Sequence, residues 1–183
     1  MEKNTFMRSS LNSGLIVGLV VSAYLLLKEI IGFSGTGTGF LTPLLFLIGL
    51  VMTGKQFEKS APDADFSYSR AFGFGALASL VAGVVYALLS YIYYNYFSAE
   101  GVMPIIIQFE NNMLRADMSS QEMEQLENFS DIMRQYLTPT TLALGRFFNI
   151  AFLGLFLSLI SAIFTQRKQQ NPFDRDMKKI DDD

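Results

Sequence analysis

Four stretches of this chain contain no charged residue: Ser9–Leu27, Ile30–Gly54, Ala71–Ala99 and Phe147–Gln166, of 19, 25, 29 and 20 residues. At 1.5 Å per helical residue, about 20 residues cross the roughly 30 Å hydrocarbon core of a bilayer. A water-soluble fold of 183 residues would have to hide four such runs in one core. Charged residues make up 17% of the chain, against ~25% in an ordinary soluble domain. The pattern predicts an all-α integral membrane four-helix bundle with spans near 9–30, 35–54, 71–97 and 139–166.

The first run follows Lys3 and Arg8 in the manner of a secretory signal. It exceeds the usual 7–15 residue signal core and lacks a clean small-x-small cleavage motif, so it reads as a retained span. Gly35, Gly37 and Gly39 supply the turn into the second helix, and Pro43 falls in that helix's first turns, where a missing N–H costs little.

Basic residues set the expected orientation. Lys3, Arg8, Lys55, Lys59, Arg70, Arg167, Lys168, Arg175, Lys178 and Lys179 lie on one side of a four-span chain, ten of its fourteen. The connection 98–138 holds only Arg115 and Arg134 against seven acids. The positive-inside rule then places both termini in the cytoplasm and 98–138 outside. Tyr91, Tyr93, Tyr94 and Tyr96 cluster at the outer end of span three as an interfacial belt.

The outer connection carries helical signals of its own. Ser119 and Glu122 form a capping box with Met118 as its staple, and Met123, Leu126, Phe129, Met133, Tyr136 and Leu137 recur at helical spacing. An amphipathic helix over about 121–137 and a shorter one near 105–114 make an extramembrane helical hairpin between spans three and four. Residues 1–168 form a single membrane domain; the polar segment 169–183 reads as a disordered cytoplasmic tail.

Composition removes much chemistry. With no Cys and no His, disulfides, thiolate nucleophiles, imidazole bases and imidazole metal ligands are excluded. No catalytic residue, metal site, cofactor or nucleic-acid partner is expected. Gly49 to Gln56 imitates a phosphate-binding loop, but Gln56 stands where Mg²⁺ chemistry needs Ser or Thr, and the segment lies on a membrane helix. The glycines at 32, 35, 37 and 39 lack the strand–turn–helix setting of a dinucleotide site. Asn128-Phe129-Ser130 is a sequon, without meaning in a bacterial host.

Small residues carry a stronger signal. Ala71, Gly75, Ser79, Gly83 and Ala87 repeat at every fourth position, with Gly14, Gly18 and Ser22 in span one and Gly154, Ser158 and Ala162 in span four. Lipid supplies no hydrophobic force between helices, so close backbone approach must hold them together. The stripe of Gly75, Ser79 and Gly83 is expected to face Gly14, Gly18 and Ser22. Lys28, Glu29 and Arg146 are the charges near or within the spans, all close to the outer interface. Arg8 to Glu29 and Arg146 to Arg167 are both 21 positions, so Glu29 and Arg146 sit at equal height and are expected to pair. Lys28 points elsewhere and snorkels toward headgroups.

The sequence from Phe66 to Gly75, the outer pattern Met118 to Glu124 before Pro139, and the ending Gly154 to Ile163 followed by Arg167-Lys168 resemble the domain of unknown function 4199 family. The likeness runs over about 8–168 and implies a four-span protein of the bacterial inner membrane, mostly Gram-negative. The family has no established activity, so the resemblance implies no site residues.

Three function classes stay open, in this order. A non-enzymatic scaffold or interaction protein would dock another membrane protein or a second copy through the acidic hairpin, with lipid as the constant partner. A small transporter or channel subunit would need polar residues at mid-membrane, where the spans offer almost only Ser and Thr. A membrane enzyme would need a carboxylate pair, and Glu29 with Glu100 or Glu110 is the available set.

Overall fold

The computed structural model describes residues 2–31, 38–60, 66–98, 100–114 and 118–166. Among them every regular element is helical: α1 Glu2–Ile31, a short 3₁₀ turn Thr38–Phe40, α2 Leu41–Ser60, α3 Tyr68–Ile92, α4 Met103–Met113, α5 Ser120–Tyr136 and α6 Pro139–Thr165. Gly32, Gly35 and Gly37 of the expected turn, Arg115 and everything from Arg167 onward lie outside the described residues.

Three helical stretches, Asn4–Ile31, Tyr68–Phe97 and Pro139–Thr165, are long and apolar enough to cross a membrane. α2 packs as the fourth helix of the bundle, but its 20 residues include Lys55, Glu58 and Lys59 in the last turns. Those charges shorten its described apolar length. The spans turn large apolar side chains outward, among them Leu15, Leu19, Leu88, Phe152, Phe156 and Ile163. A soluble bundle would bury such a surface; lipid is its natural surrounding.

α3 is the organising helix. It packs most extensively on α6 and next on α1, while α2 closes on α6 and α1. One cluster of buried side chains joins all four: Val17 and Val21, Phe46 and Leu50, Ala78, Ala82 and Tyr86, Ile150 and Leu157. A second lies where α1 starts and α2 ends. Phe57 stacks on Phe74 with ring centroids 5.1 Å apart, and Phe6 and Phe66 meet the same pair edge-on or tilted. Such aromatic contacts add about 0.5–1.5 kcal/mol each beyond area burial.

The hairpin helices begin where the sequence signals put them. Ser119 accepts from the Glu122 N–H while Glu122 accepts from the Ser119 N–H at 2.8 Å. α6 has a second box, Thr138 with Thr141, and Pro139 at its first turn. α4 and α5 run 103–113 and 120–136, within two residues of the expected 105–114 and 121–137.

The small-residue series meets different partners from those expected. A Cβ on Gly75 would lie 2.8 Å from Ser158 Oγ, and one on Gly83 would lie 3.1 Å from the Phe147 carbonyl, so this stripe faces α6. Gly14 and Gly18 do face α3, but on its neighbouring strip: their missing Cβ positions lie 2.6 Å from the Ala78 carbonyl and 2.8 Å from Ala82 Cα. Residues 75, 79 and 83 share one line of α3, and 78, 82 and 85 the adjacent one, centred about 90° away on a 3.6-residue helix. α3 therefore serves two neighbours with two small-residue strips. The four-residue repeat of Ala71, Gly75, Ser79, Gly83 and Ala87 by itself predicts only one.

Alanine at Gly14 should lower stability by about 1–3 kcal/mol, because backbone faces the added methyl. Alanine at Gly73, where a Cβ meets nothing within 4 Å, should be neutral or stabilise by up to about 1 kcal/mol. Thermal melts of the purified variants in one detergent measure both, and a destabilised Gly73→Ala with an unaffected Gly14→Ala would contradict the packing.

Candidate functional site

Charge is the costliest thing to place near hydrocarbon, and the bundle concentrates it at one spot. Glu29 sits in the last turn of α1 and Arg146 two turns into α6. The Arg146 fork is bidentate: Nη1 donates to Glu29 Oε2 at 3.0 Å, and Nη2 donates to Glu29 Oε1. Nη1 also donates to Ser90 Oγ at 3.1 Å and Nη2 to the Tyr94 hydroxyl at 3.4 Å, both from α3. The guanidinium carbon lies 5.0 Å from the Tyr94 ring centroid and 5.3 Å from that of Tyr86, within cation–π range. Only 11% of the Arg146 side chain is exposed, against 33% for Glu29. Lysine could not replace this arginine, since a point charge cannot hold two carboxylate oxygens and two hydroxyls in one plane.

The α3 contributors Tyr86, Ser90 and Tyr94 recur at every fourth position, and the helix changes pitch at the last of them. Over Tyr93–Phe97 the helix widens to a π turn, closed by the Ser98 N–H donating to the Tyr93 carbonyl at 2.9 Å. Tyr94 is 6% exposed and faces Arg146, whereas Tyr96 is 72% exposed. Tyr91 and Tyr93 are half-buried, the Tyr93 ring edge-on to Tyr94 at 4.9 Å. The four tyrosines expected as one belt thus divide, and Tyr94 joins the polar cluster. Ser90 and the two tyrosines were missed as Arg146 partners. The available signal was their height: Arg70 to Ser90 is 20 positions, within one of the 21 that bring Glu29 level with Arg146.

Beside Arg146 a groove of ≈ 520 Å³ opens between the start of α2 and α6. Thr42 and Pro43 form one wall, Asn149, Ile150 and Leu153 the other. A second groove, ≈ 410 Å³, runs between α4 and α5 beside Glu110, Glu127 and Leu126. Ser130 in its wall is 4% exposed, and no described residue bonds its hydroxyl.

The phosphate-loop lookalike has a packing explanation. Gly49 and Gly54 lie within α2, where added Cβ atoms would stand 3.0 Å from Val17 and 2.9 Å from Thr165. These glycines let α1 and α6 approach; no free loop N–H groups stand there. The carboxylates named for enzyme chemistry are engaged separately. Glu29 holds Arg146, while Glu110 accepts from Arg134 at 2.9 Å on the hairpin. Glu100 lies in the exposed turn before α4.

A family model described as "Protein of unknown function (DUF4199)" matches residues 12–167. The chain belongs to the DUF4199 family. No curated protein and no solved structure matches it. The family match runs through all four bundle helices and the hairpin, so the arginine cluster and both grooves lie inside the family domain.

Removing either member of the pair strands a partly buried charge, so Glu29→Gln and Arg146→Gln should each cost about 1–3 kcal/mol. The double variant should fall short of the summed losses by about 1 kcal/mol, because the two sites touch. Chemical or thermal unfolding of the three variants in detergent measures this coupling. Full additivity would mean that the pair contributes nothing to the fold.

Proposed function

We propose that this DUF4199 member is a non-enzymatic interaction protein of the bacterial inner membrane, with both termini cytoplasmic and the α4–α5 hairpin as its docking element. The observation that carries the reading is the isolation of that hairpin. α4 and α5 pack on each other and scarcely touch the bundle. They leave Ile107, Met113, Phe129, Ile132 and Tyr136 exposed on a helix pair held at the membrane face. Phe109 and Phe129, 5.3 Å apart, hold the two helices together. The exposed acidic residues Glu124, Glu127 and Asp131 lie on a different face of α5, so the apolar face can meet a partner's apolar surface while the acidic one attracts a partner rich in basic residues.

The bundle interior supports the same reading over transport. Its deepest side chains include Phe46, Leu50, Ala78 and Ile150. The buried hydroxyls of Ser79, Ser158 and Thr165 are bonded to carbonyls one turn earlier on their own helices. Conduction would require a polar route through that layer.

Two measurements test the proposal. Cysteines at Ser60 and Ser120, probed on intact cells with an impermeant thiol reagent, should react at position 120 alone; reaction at 60 alone would invert the orientation. A photo-crosslinking residue at Ile132 should give one discrete adduct in native membranes, and the same residue at lipid-facing Phe152 should give none. Ion or solute flux through liposomes holding the purified protein, with no adduct at Ile132, would favour the transporter reading.

A further inference from the structure

The groove between α2 and α6 has a vertical order that a lipid would match. Its wall on α6 runs from Leu142 to Leu153, eleven positions or roughly 16 Å along the helix. Ser90, which contacts Arg146, stands 20 positions above Arg70. That rise of about 30 Å puts the arginine at the edge of the hydrocarbon. From there the groove descends about 10 Å to Leu153 past Ile150, with Leu25 and Pro43 opposite. Polar groups occupy its upper part and apolar ones its depth.

Two of those polar groups have unused capacity. A guanidinium has five N–H groups. Four of Arg146's are committed to Glu29, Ser90 and Tyr94, and its Nε–H is bonded to no described residue. Asn149, one turn deeper, is exposed and its amide also has no hydrogen-bond partner among the described residues. An amide N–H just inside hydrocarbon that meets no acceptor costs several kcal/mol, so an acceptor seated there is strongly favoured. Glycerol esters and a phosphate are the groups that a bilayer supplies at this depth. Space is also reserved: a Cβ on Gly145 or Gly39, both lining the groove, would meet nothing within 4 Å.

We propose that this groove seats one phospholipid, its phosphate and ester groups at Arg146 and Asn149 and one acyl chain along Ile150 and Leu153. The inference is independent of the hairpin's role, since no residue lining the groove belongs to α4 or α5.

The full-length chain, purified in mild detergent, is titrated with phosphatidylglycerol bearing a nitroxide high on its acyl chain. Electron paramagnetic resonance reads the motionally restricted fraction. The parent should restrict one lipid per chain. Gly145→Leu fills open space, so its melt should match the parent while lipid affinity falls about tenfold. Asn149→Leu, which removes the amide, should also weaken retention. Gly73→Leu, equally open but distant from the groove, should bind as the parent does. If Gly145→Leu itself disturbs the melt, Gly39→Leu blocks the same groove from the other wall. A restricted signal unchanged in both glycine variants, or no restricted lipid in the parent, overturns the proposal.

Discussion

A bilayer gives its helices no reason to associate through apolar area alone, and the α3–α6 contact is where this fold meets that condition. Gly75, Ser79 and Gly83 on one helix lie against Ser158, Gly154 and the Phe147 backbone on the other. The Ser79 and Ser158 hydroxyls stand 3.3 Å apart at the centre of that contact. Close backbone approach multiplies weak dispersion contacts, which is the main attraction left when the surroundings are as apolar as the side chains. α1 and α2 attach to this axis, each through its own glycines: Gly14 and Gly18 against α3, Gly49 and Gly54 toward α1 and α6.

The axis extends past the other two helices. α1 ends at Ile31, two residues beyond Glu29, whereas α3 with its π turn continues seven residues past Ser90 and α6 starts seven residues before Arg146. The charged pair therefore sits where four helices become two. At that level a polar group cannot be fully hydrated or fully packed, and the solution is to saturate it locally. The bidentate carboxylate, two hydroxyls and two rings replace water around Arg146. The π turn takes in the last α3 member of this cluster, and past Tyr94 the chain turns Tyr96 and Phe97 outward.

Much of this was legible in the sequence, and the exceptions have physical causes. Uncharged runs, the Ser119 box and the equal heights of Glu29 and Arg146 depend on spacing along one chain, which the sequence displays directly. The partner of a small-residue stripe depends on rotation about the helix axis. Steps of four residues drift ~40° per repeat, so two adjacent strips of α3 look alike in sequence while facing different neighbours. The inward Tyr94 had a signal of its own, since Tyr86, Ser90 and Tyr94 recur at every fourth position and so share one face of α3. α2 was read as a full span from its lack of charge over 30–54, but the described helix begins at Leu41 and runs on to Ser60 through its charged end.

The buried hydroxyls explain how a bundle with so many serines can remain closed. Ser10 donates to the Phe6 carbonyl, Thr53 to Gly49, Ser79 to Gly75, Ser158 to Gly154 and Thr165 to Ser161, each one turn back on its own helix. A hydroxyl bonded in this way has spent its proton on a carbonyl that is already in the helical ladder. It presents little polarity to its neighbour and occupies scarcely more room than alanine. Serine can then alternate with glycine and alanine along a packing strip without inviting water into the core. Polar composition in these spans is mainly a packing device; among the described residues the buried Ser22 hydroxyl is left without a partner, and Arg146 and Asn149 also keep hydrogen-bonding capacity over.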